Sequence, residues 1–240
     1  LLLYPGFYWN PRMFSDTFPA PLLQGITMKL FSLARLAALS LILLGCDQSP
    51  VTGGAAEEAA YRSCNVCHGA TGLGNRGMQA PSLVNLDDWY VERQLRPFKA
   101  GIRGRHSRDT YGMQMASQAS LLKSDQMIEA VARRINSFPD KSPLATIQAD
   151  QESGQRLYNT HCSSCHGAEG KGNRELNAPS LRGIDDWYLV RQYDNFQQGI
   201  RGSHPDDLYG QQMQLSAKVL DSDQELRDVA AWLISLGIDN

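Results

Sequence analysis

The C-terminal stretch SDQELRDVAAWLISLG, residues 222–237, places Leu226, Val229, Ala230 and Leu233 at helical spacing. Ser222 with Glu225 three positions later forms a capping box that starts this helix. Upstream, DDWYLVRQYDNFQQG (185–199) spreads Trp187, Val190, Tyr193 and Phe196 around a second helix, with Gly199 placed to stop it. A third helix is expected in QESGQRLYNTHC (151–162), where Gly154 and Tyr158 lie four apart on one face. Nothing along the chain alternates like a half-buried strand. The pattern predicts an all-α protein whose short helices are joined by long loops rich in Gly, Asn and Pro.

The same pattern is written twice. A shift of 98 residues superposes Cys64, Cys67 and His68 on Cys162, Cys165 and His166. It also aligns QAPSL (79–83) with NAPSL (177–181), DDWY (87–90) with DDWY (185–188), and GIRG (101–104) with GIRG (199–202). YGMQM, ending at Met115, meets YGQQM, ending at Met213. A duplicated domain is implied, with one unit at 58–140, a linker at 141–152 and a second unit at 153–240. Each unit is small for an unaided hydrophobic core, so something other than side chains is expected to fill its middle.

The front of the chain has a different character. From Met28, Lys29 and Arg35 precede a nearly unbroken apolar run, Leu36 to Leu44, and then Gly45-Cys46. This is the layout of a secretory signal, too short to span a bilayer comfortably, and its end resembles a bacterial lipobox. Residues 28–46 are therefore expected to be a lipoprotein signal peptide, with Cys46 as the lipidated residue that holds the protein at a membrane on the periplasmic side. Residues 47–57 read as a flexible tether, and 1–27 as an over-extended gene start outside the fold.

Composition narrows the functional classes. With 42% apolar and 20% charged residues, the chain is neither a polytopic membrane protein nor largely disordered. A formal net charge of −2 leaves no electrostatic footprint for nucleic acid. Charge is unevenly divided: 47–140 hold 11 basic and 10 acidic residues, whereas 141–240 hold 9 and 14. The acidic second half is expected to meet a basic partner. Association that weakens as salt is raised is the expected outcome, and binding insensitive to ionic strength would contradict it.

Of five cysteines, Cys46 belongs to the leader and the other four lie in two CxxCH strings. Structural zinc needs four ligands, and each unit supplies Cys, Cys and His with no second pair. A thioredoxin-like dithiol needs a βαβ setting that is absent here. CxxCH is the attachment signature of c-type haem, in which the thiols form thioethers and the histidine reaches the iron. Two copies behind an export signal predict two haem c groups, held by Cys64, Cys67, Cys162 and Cys165, with His68 and His166 on the irons.

For the opposite side of each iron the repeat offers two pairs, Met115 with Met213 and His106 with His204. The repeat alone does not separate them. Each histidine lies in a charged loop, GRHSRD or GSHPDD, where a solvated imidazole is the ordinary outcome, so methionine is favoured. A thioether raises the potential of the iron, and two filled axial positions suit electron transfer rather than substrate chemistry.

With CxxCH, the downstream Ala-Pro-Ser-Leu, the late Met and the final DQELRDVAAWL helix, each unit resembles a class I cytochrome c, and the pair resembles the dihaem cytochrome c4 family over about 58–240. The resemblance implies an electron carrier rather than an enzyme, with His/Met ligation by Met115 and Met213. It also implies that the carbonyls of Pro81 and Pro179 accept a bond from the histidines, and that Gly154 and Tyr158 cross the helix carrying Trp232. In the first unit Ala56 and Ala60 stand at the matching positions, Tyr61 is shifted by one and Arg134 replaces the tryptophan, so a looser or differently packed crossing is expected there. The loop FQQGIRGSHPDDLYGQQM (196–213) is similar to haem domains of respiratory terminal oxidases. The expected role is a relay from a quinol-oxidising complex to such an oxidase. Two other roles compete: the cytochrome subunit of a dehydrogenase such as a sulfide-oxidising flavocytochrome, and a dihaem enzyme with one labile ligand. Arg103, Arg201, Trp89, Trp187, Tyr111 and Tyr209 are repeated as well, and are either core and surface residues or partners of the haem propionates.

Overall fold

The computed structural model describes residues 53–238. The apolar leader, Cys46 and residues 1–27 lie outside them, as does the tether up to residue 52. Among the described residues the regular structure is helical: α1 (Gly53–His68), α2 (Asp88–Ala100), α3 (Thr110–Ala119), α4 (Asp125–Asn136), α5 (Gln151–His161), α6 (Ser163–His166), α7 (Asp186–Gln197), α8 (Leu208–Ser216) and α9 (Asp223–Ser235). The only extended pairings in this region are two isolated bridges, Asn75 with Ala80 and Asn173 with Ala178. Among the described residues no helix is long and apolar enough to cross a membrane.

Two hydrophobic cores form, one per repeat. The first gathers Tyr61, Val84, Ile128, Val131 and Phe138 where α1 packs on α4. The second gathers Tyr158, Leu226, Val229, Trp232 and Leu233 where α5 packs on α9. The start of α9 is built as its letters imply: the Ser222 hydroxyl accepts from the Glu225 amide at 3.3 Å. The Glu225 carboxylate reaches back one residue further than in the usual box, to the amide of Asp221 at 2.7 Å. Gly199 lies just beyond the end of α7 with φ +70°, the left-handed step that stops a helix.

Two features depart from the pattern reading. The stretch expected to be a tether to 57 is already helical from Gly53, because Ala55 to Ala60 is made of alanines and glutamates, strong helix formers. Met115 and Met213, placed by sequence in loops, lie on the helices α3 and α8. Asp109 and Asp207 cap these helices by accepting from the amides of Gly112 and Gly210 at 2.9 and 3.0 Å. Glycine leaves room for these caps, since an added Cβ would lie 2.0 Å from the capping carboxylate in both and push it aside. A third feature follows the expectation drawn from Ala56, Ala60 and Arg134: the α1–α4 crossing is packed differently from α5–α9. Tyr158 stacks on Trp232 with ring centres 4.6 Å apart, whereas Tyr61 meets Phe138 edge-on at 5.2 Å, with Arg134 over the Phe138 ring. The shifted tyrosine still bonds the equivalent carbonyl: Tyr61 to Gly69 and Tyr158 to Gly167.

The linker is strapped to the second repeat by Asp186, which is fully buried. Its carboxylate accepts from the Thr146 amide (2.6 Å), the Thr146 hydroxyl (2.6 Å) and the Ile147 amide (2.8 Å). Its counterpart Asp88 is exposed and bonds only the amide of Trp89. Asp186→Ala is therefore expected to cost about 3 kcal/mol, because four donors, the Trp187 amide among them, lose a buried charged acceptor, and Asp88→Ala well under 1 kcal/mol. Denaturant midpoints of the two variants measure the difference, and equal effects would contradict it.

Candidate haem-binding sites

Each CxxCH string sits at the end of a helix that packs on the last helix of its repeat. In the second repeat α5 ends at His161, the chain turns at Cys162, and α6 carries the remainder, with the His166 amide bonded to the Cys162 carbonyl at 3.0 Å. In the first repeat α1 runs unbroken through to His68. Both histidines are buried. Their rings are fixed alike: Nδ1 of His68 donates to the Pro81 carbonyl and Nδ1 of His166 to the Pro179 carbonyl, each at 2.8 Å. That bond settles the tautomer and leaves Nε2 with its lone pair free. Burial lowers the pKa of both imidazoles, opposed in part by the carbonyl, so both favour the neutral form a metal requires.

The segments bearing the prolines are held in place by backbone pairing. Asn75 exchanges two bonds with Ala80, and Asn173 two with Ala178, just ahead of the prolines. The turn closes against the histidine helix through the Gly74 amide on the His68 carbonyl (2.9 Å) and the Gly172 amide on that of His166 (2.8 Å).

Among the described residues the four thiols are free of disulfides. Burial raises the pKa of Cys64, and burial with the neighbouring Cys165 pushes Cys162 up to about 11. In the second repeat, Cys162, Cys165, His166, Pro179 and Met213 line one crevice of about 440 Å3, whose walls include Leu226, Val229 and Leu233. His204 does not line it. That histidine instead flanks a separate cavity of about 270 Å3, opposite His106, between the two GIRG loops. In the first repeat Cys64 and Met115 both pack, half-buried, against the core. The donor set, two thiols, an oriented imidazole and a thioether around an apolar crevice, fits a covalently held haem.

Comparison with known proteins agrees. The family model described as cytochrome c matches residues 151–237. A relative from Stutzerimonas stutzeri, the thiosulfate dehydrogenase electron acceptor, is 31% identical over 218 residues, covering 85% of this chain and 94% of its own. The chain belongs to the cytochrome c family. A solved cytochrome c4 from Acidithiobacillus ferrooxidans superposes on this cytochrome with a TM-score of 0.58 at 25% identity, covering 73% of this chain and 99% of that one. The fold is thus a tandem pair of class I cytochrome c domains, and the cytochrome carries electrons by way of haem c rather than catalysing a reaction. The FixP subunit of a cbb3-type cytochrome c oxidase from Bradyrhizobium diazoefficiens is 33% identical over 150 residues, 58% of this cytochrome, which spans about half (49%) of that subunit.

The second crevice is walled partly by the first domain, through Tyr90, Arg93, Gln94, Arg96 and Pro97 of α2. Other bonds tie the same faces together. The Ser82 amide donates to the Asp185 carboxylate (2.8 Å), Arg191 bonds the Gln79 carbonyl (3.0 Å), and Arg93 bonds the Asn177 carbonyl (2.5 Å). Sequence reasoning singled out Arg103 and Arg201 but missed Tyr90, Arg93, Gln94 and their counterparts Tyr188, Arg191 and Gln192. The signal was present, since all three positions are identical in both repeats.

Proposed function

We propose that this cytochrome is a dihaem relay that passes single electrons at the periplasmic face of a bacterial membrane, held there by lipid on Cys46. Haem c supplies a one-electron iron couple. The chain's own residues would do the rest: Cys64, Cys67, Cys162 and Cys165 would tether the groups, His68 and His166, oriented by Pro81 and Pro179, would each give an imidazole nitrogen to an iron, and Met115 and Met213 would each give a thioether sulfur. The observation that carries the reading is the crevice that gathers Cys162, Cys165, His166 and Met213 and leaves out His204. A thioether from Met115 or Met213 as second ligand would leave no open position on the iron for oxygen or peroxide chemistry.

The acceptor we propose is a terminal oxidase, supported by the likeness to FixP, with a quinol-oxidising complex as donor. A dehydrogenase as donor is a second reading, favoured by the full-length likeness to a thiosulfate dehydrogenase electron acceptor. Protein purified from membranes should be low-spin, with a sulfur-to-iron charge-transfer band for both irons. Met213→Ala is expected to remove that band from one iron, to lower its potential and to let carbon monoxide bind the reduced form. Carbon monoxide binding readily to the unmodified protein would overturn the reading. Rapid mixing with a quinol-oxidising complex and with a thiosulfate-oxidising dehydrogenase separates the two donors.

A further inference from the structure

Arg93 and Arg191 occupy the same place in the two repeats, and each reaches into the other domain. On its own side of the seam, Arg93 lies over the rings of Trp89 and Tyr90 of α2, at 4.7 and 5.3 Å. Arg191 lies likewise over Trp187 and Tyr188 of α7, at 4.9 and 5.2 Å. Across the seam, Arg93 donates to the Asn177 carbonyl (2.5 Å) and stacks on Tyr209 (5.0 Å). Asn177 stands two residues before Pro179, whose carbonyl holds the His166 ring. Tyr209 stands four residues before Met213 on α8, and so on the same face of that helix. Arg191 makes the matching contacts in the first domain. It donates to the carbonyl and the side chain of Gln79, both at 3.0 Å, two residues before Pro81, which holds the His68 ring. It stacks at 4.9 Å on Tyr111, four residues before Met115 on α3.

One cation therefore touches both segments that carry the axial side chains of the neighbouring domain: the loop that orients the histidine and the helix that bears the methionine. In the second domain, Arg93, Asn177 and Tyr209 line the same crevice as His166 and Met213. The two segments are far apart in sequence, so the arginine joins parts that the chain itself does not join locally. The carbonyls it takes belong to Asn177 and Gln79, both in the left-handed region with φ +55° and +57°. Residues other than glycine seldom adopt that conformation, and a charge-assisted bond from across the seam offsets its cost. A guanidinium suits the task because its flat face stacks while its edge donates. An ammonium has neither the face nor the fork.

Resting on the dihaem reading above, we infer that Arg93 and Arg191 are reciprocal clamps, each holding the methionine helix of the other domain against that domain's histidine loop. Both are positioning residues. Their own domain's aromatic rings preset them, and the opposite domain uses them. Docking of the two domains and closure of the axial positions are then one event: the second iron stays closed because the first domain is in place, and the first because the second is.

The test uses the full haem-loaded chain, with carbon monoxide binding to the reduced protein as the measure of an open axial position. Haem content and the sulfur-to-iron band of the unmodified protein come first. Fewer than two haems per chain, or no such band, sinks the dihaem reading itself, before any arginine variant is compared. Met213→Ala and Met115→Ala show which signal belongs to the second iron and which to the first. In Arg93→Ala, carbon monoxide is expected to bind the second iron roughly tenfold faster than in the parent, the factor carried by one lost charge-assisted bond or stack. The first iron should keep the parent rate. Arg191→Ala should give the reverse pattern. Arg93→Lys should behave like Arg93→Ala, since it keeps the charge and loses the planar fork. A change confined to the iron of the arginine's own domain, or no change at either, would overturn the inference. Full recovery in Arg93→Lys would overturn it too, because the side chain would then act only as a charge. If Arg93→Ala does not fold, the exposed Tyr209 ring reads the same clamp. Tyr209→Leu is expected to open the second iron and Tyr209→Phe, which keeps the ring face, to leave it closed. Equal rates in those two variants would overturn the inference.

Discussion

Removing both thiols of the second motif, Cys162→Ala with Cys165→Ala, is expected to leave a protein that keeps one covalent haem and loses the cooperative unfolding of its second domain. The crevice facing these thiols measures about 440 Å3 and is walled by the residues that make the second core, Leu226, Val229 and Leu233. At about 24 cal/mol per Å3 of unfilled core, a void of this size corresponds to roughly 10 kcal/mol, as large as the whole stability of a domain this small. Water entering from the open side reduces the cost but cannot supply the lost apolar contacts. The first domain has its own core, built on Tyr61, Ile128, Val131 and Phe138, and should melt as before. The haem-to-protein ratio from the pyridine haemochrome and a thermal scan read the outcome together. Two haems per chain in the variant, or an unchanged melting profile, would contradict it.

Chemistry confined to neighbours in sequence was legible from the letters: CxxCH carries both thiols and the imidazole in five residues, and Ser222 with Glu225 announces the start of α9. The fold class came from helical spacing and from a repeat too small for its own core. Met115 and Met213 were found by the repeat, but their helices were not, because the cap that starts α3 and α8 is an aspartate whose space is cleared by a glycine three positions on. That signal is easily taken for a loop. The tether was read from its Gly, Ser and Pro content, yet its last residues run into alanines and glutamates that carry α1 back to Gly53. The seam was illegible for a different reason. Tyr90, Arg93 and Gln94 repeat as Tyr188, Arg191 and Gln192, but identity between repeats does not say that each residue faces the other copy. A buried arginine bonded across the seam looks, in one repeat alone, like an ordinary surface cation.

Gly154→Ala is expected to destabilise the second domain by about 3 kcal/mol or more, the upper part of the range for forcing an extra group into a packed core. An added Cβ at this position would lie 2.0 Å from the Asp228 carbonyl oxygen and 2.4 Å from its carbon. Both are backbone atoms in the middle of α9, so no side-chain rotation relieves the clash and the two helices must separate. Separation pulls Tyr158 from Trp232 and weakens the Tyr158 hydroxyl bond to the Gly167 carbonyl, 2.7 Å, one residue past the histidine that faces the crevice. The first domain shows how the crossing works without this contact: Ala56 stands there, exposed, and the tyrosine comes from one position later. Gly54→Ala provides the control, since nothing lies within 4 Å of its added Cβ, and a helix gains up to about 1 kcal/mol when alanine replaces glycine. Urea unfolding of the two variants should therefore differ in sign as well as size. A Gly154→Ala protein whose second transition and haem content match the parent would show that α5 and α9 do not pack at backbone distance.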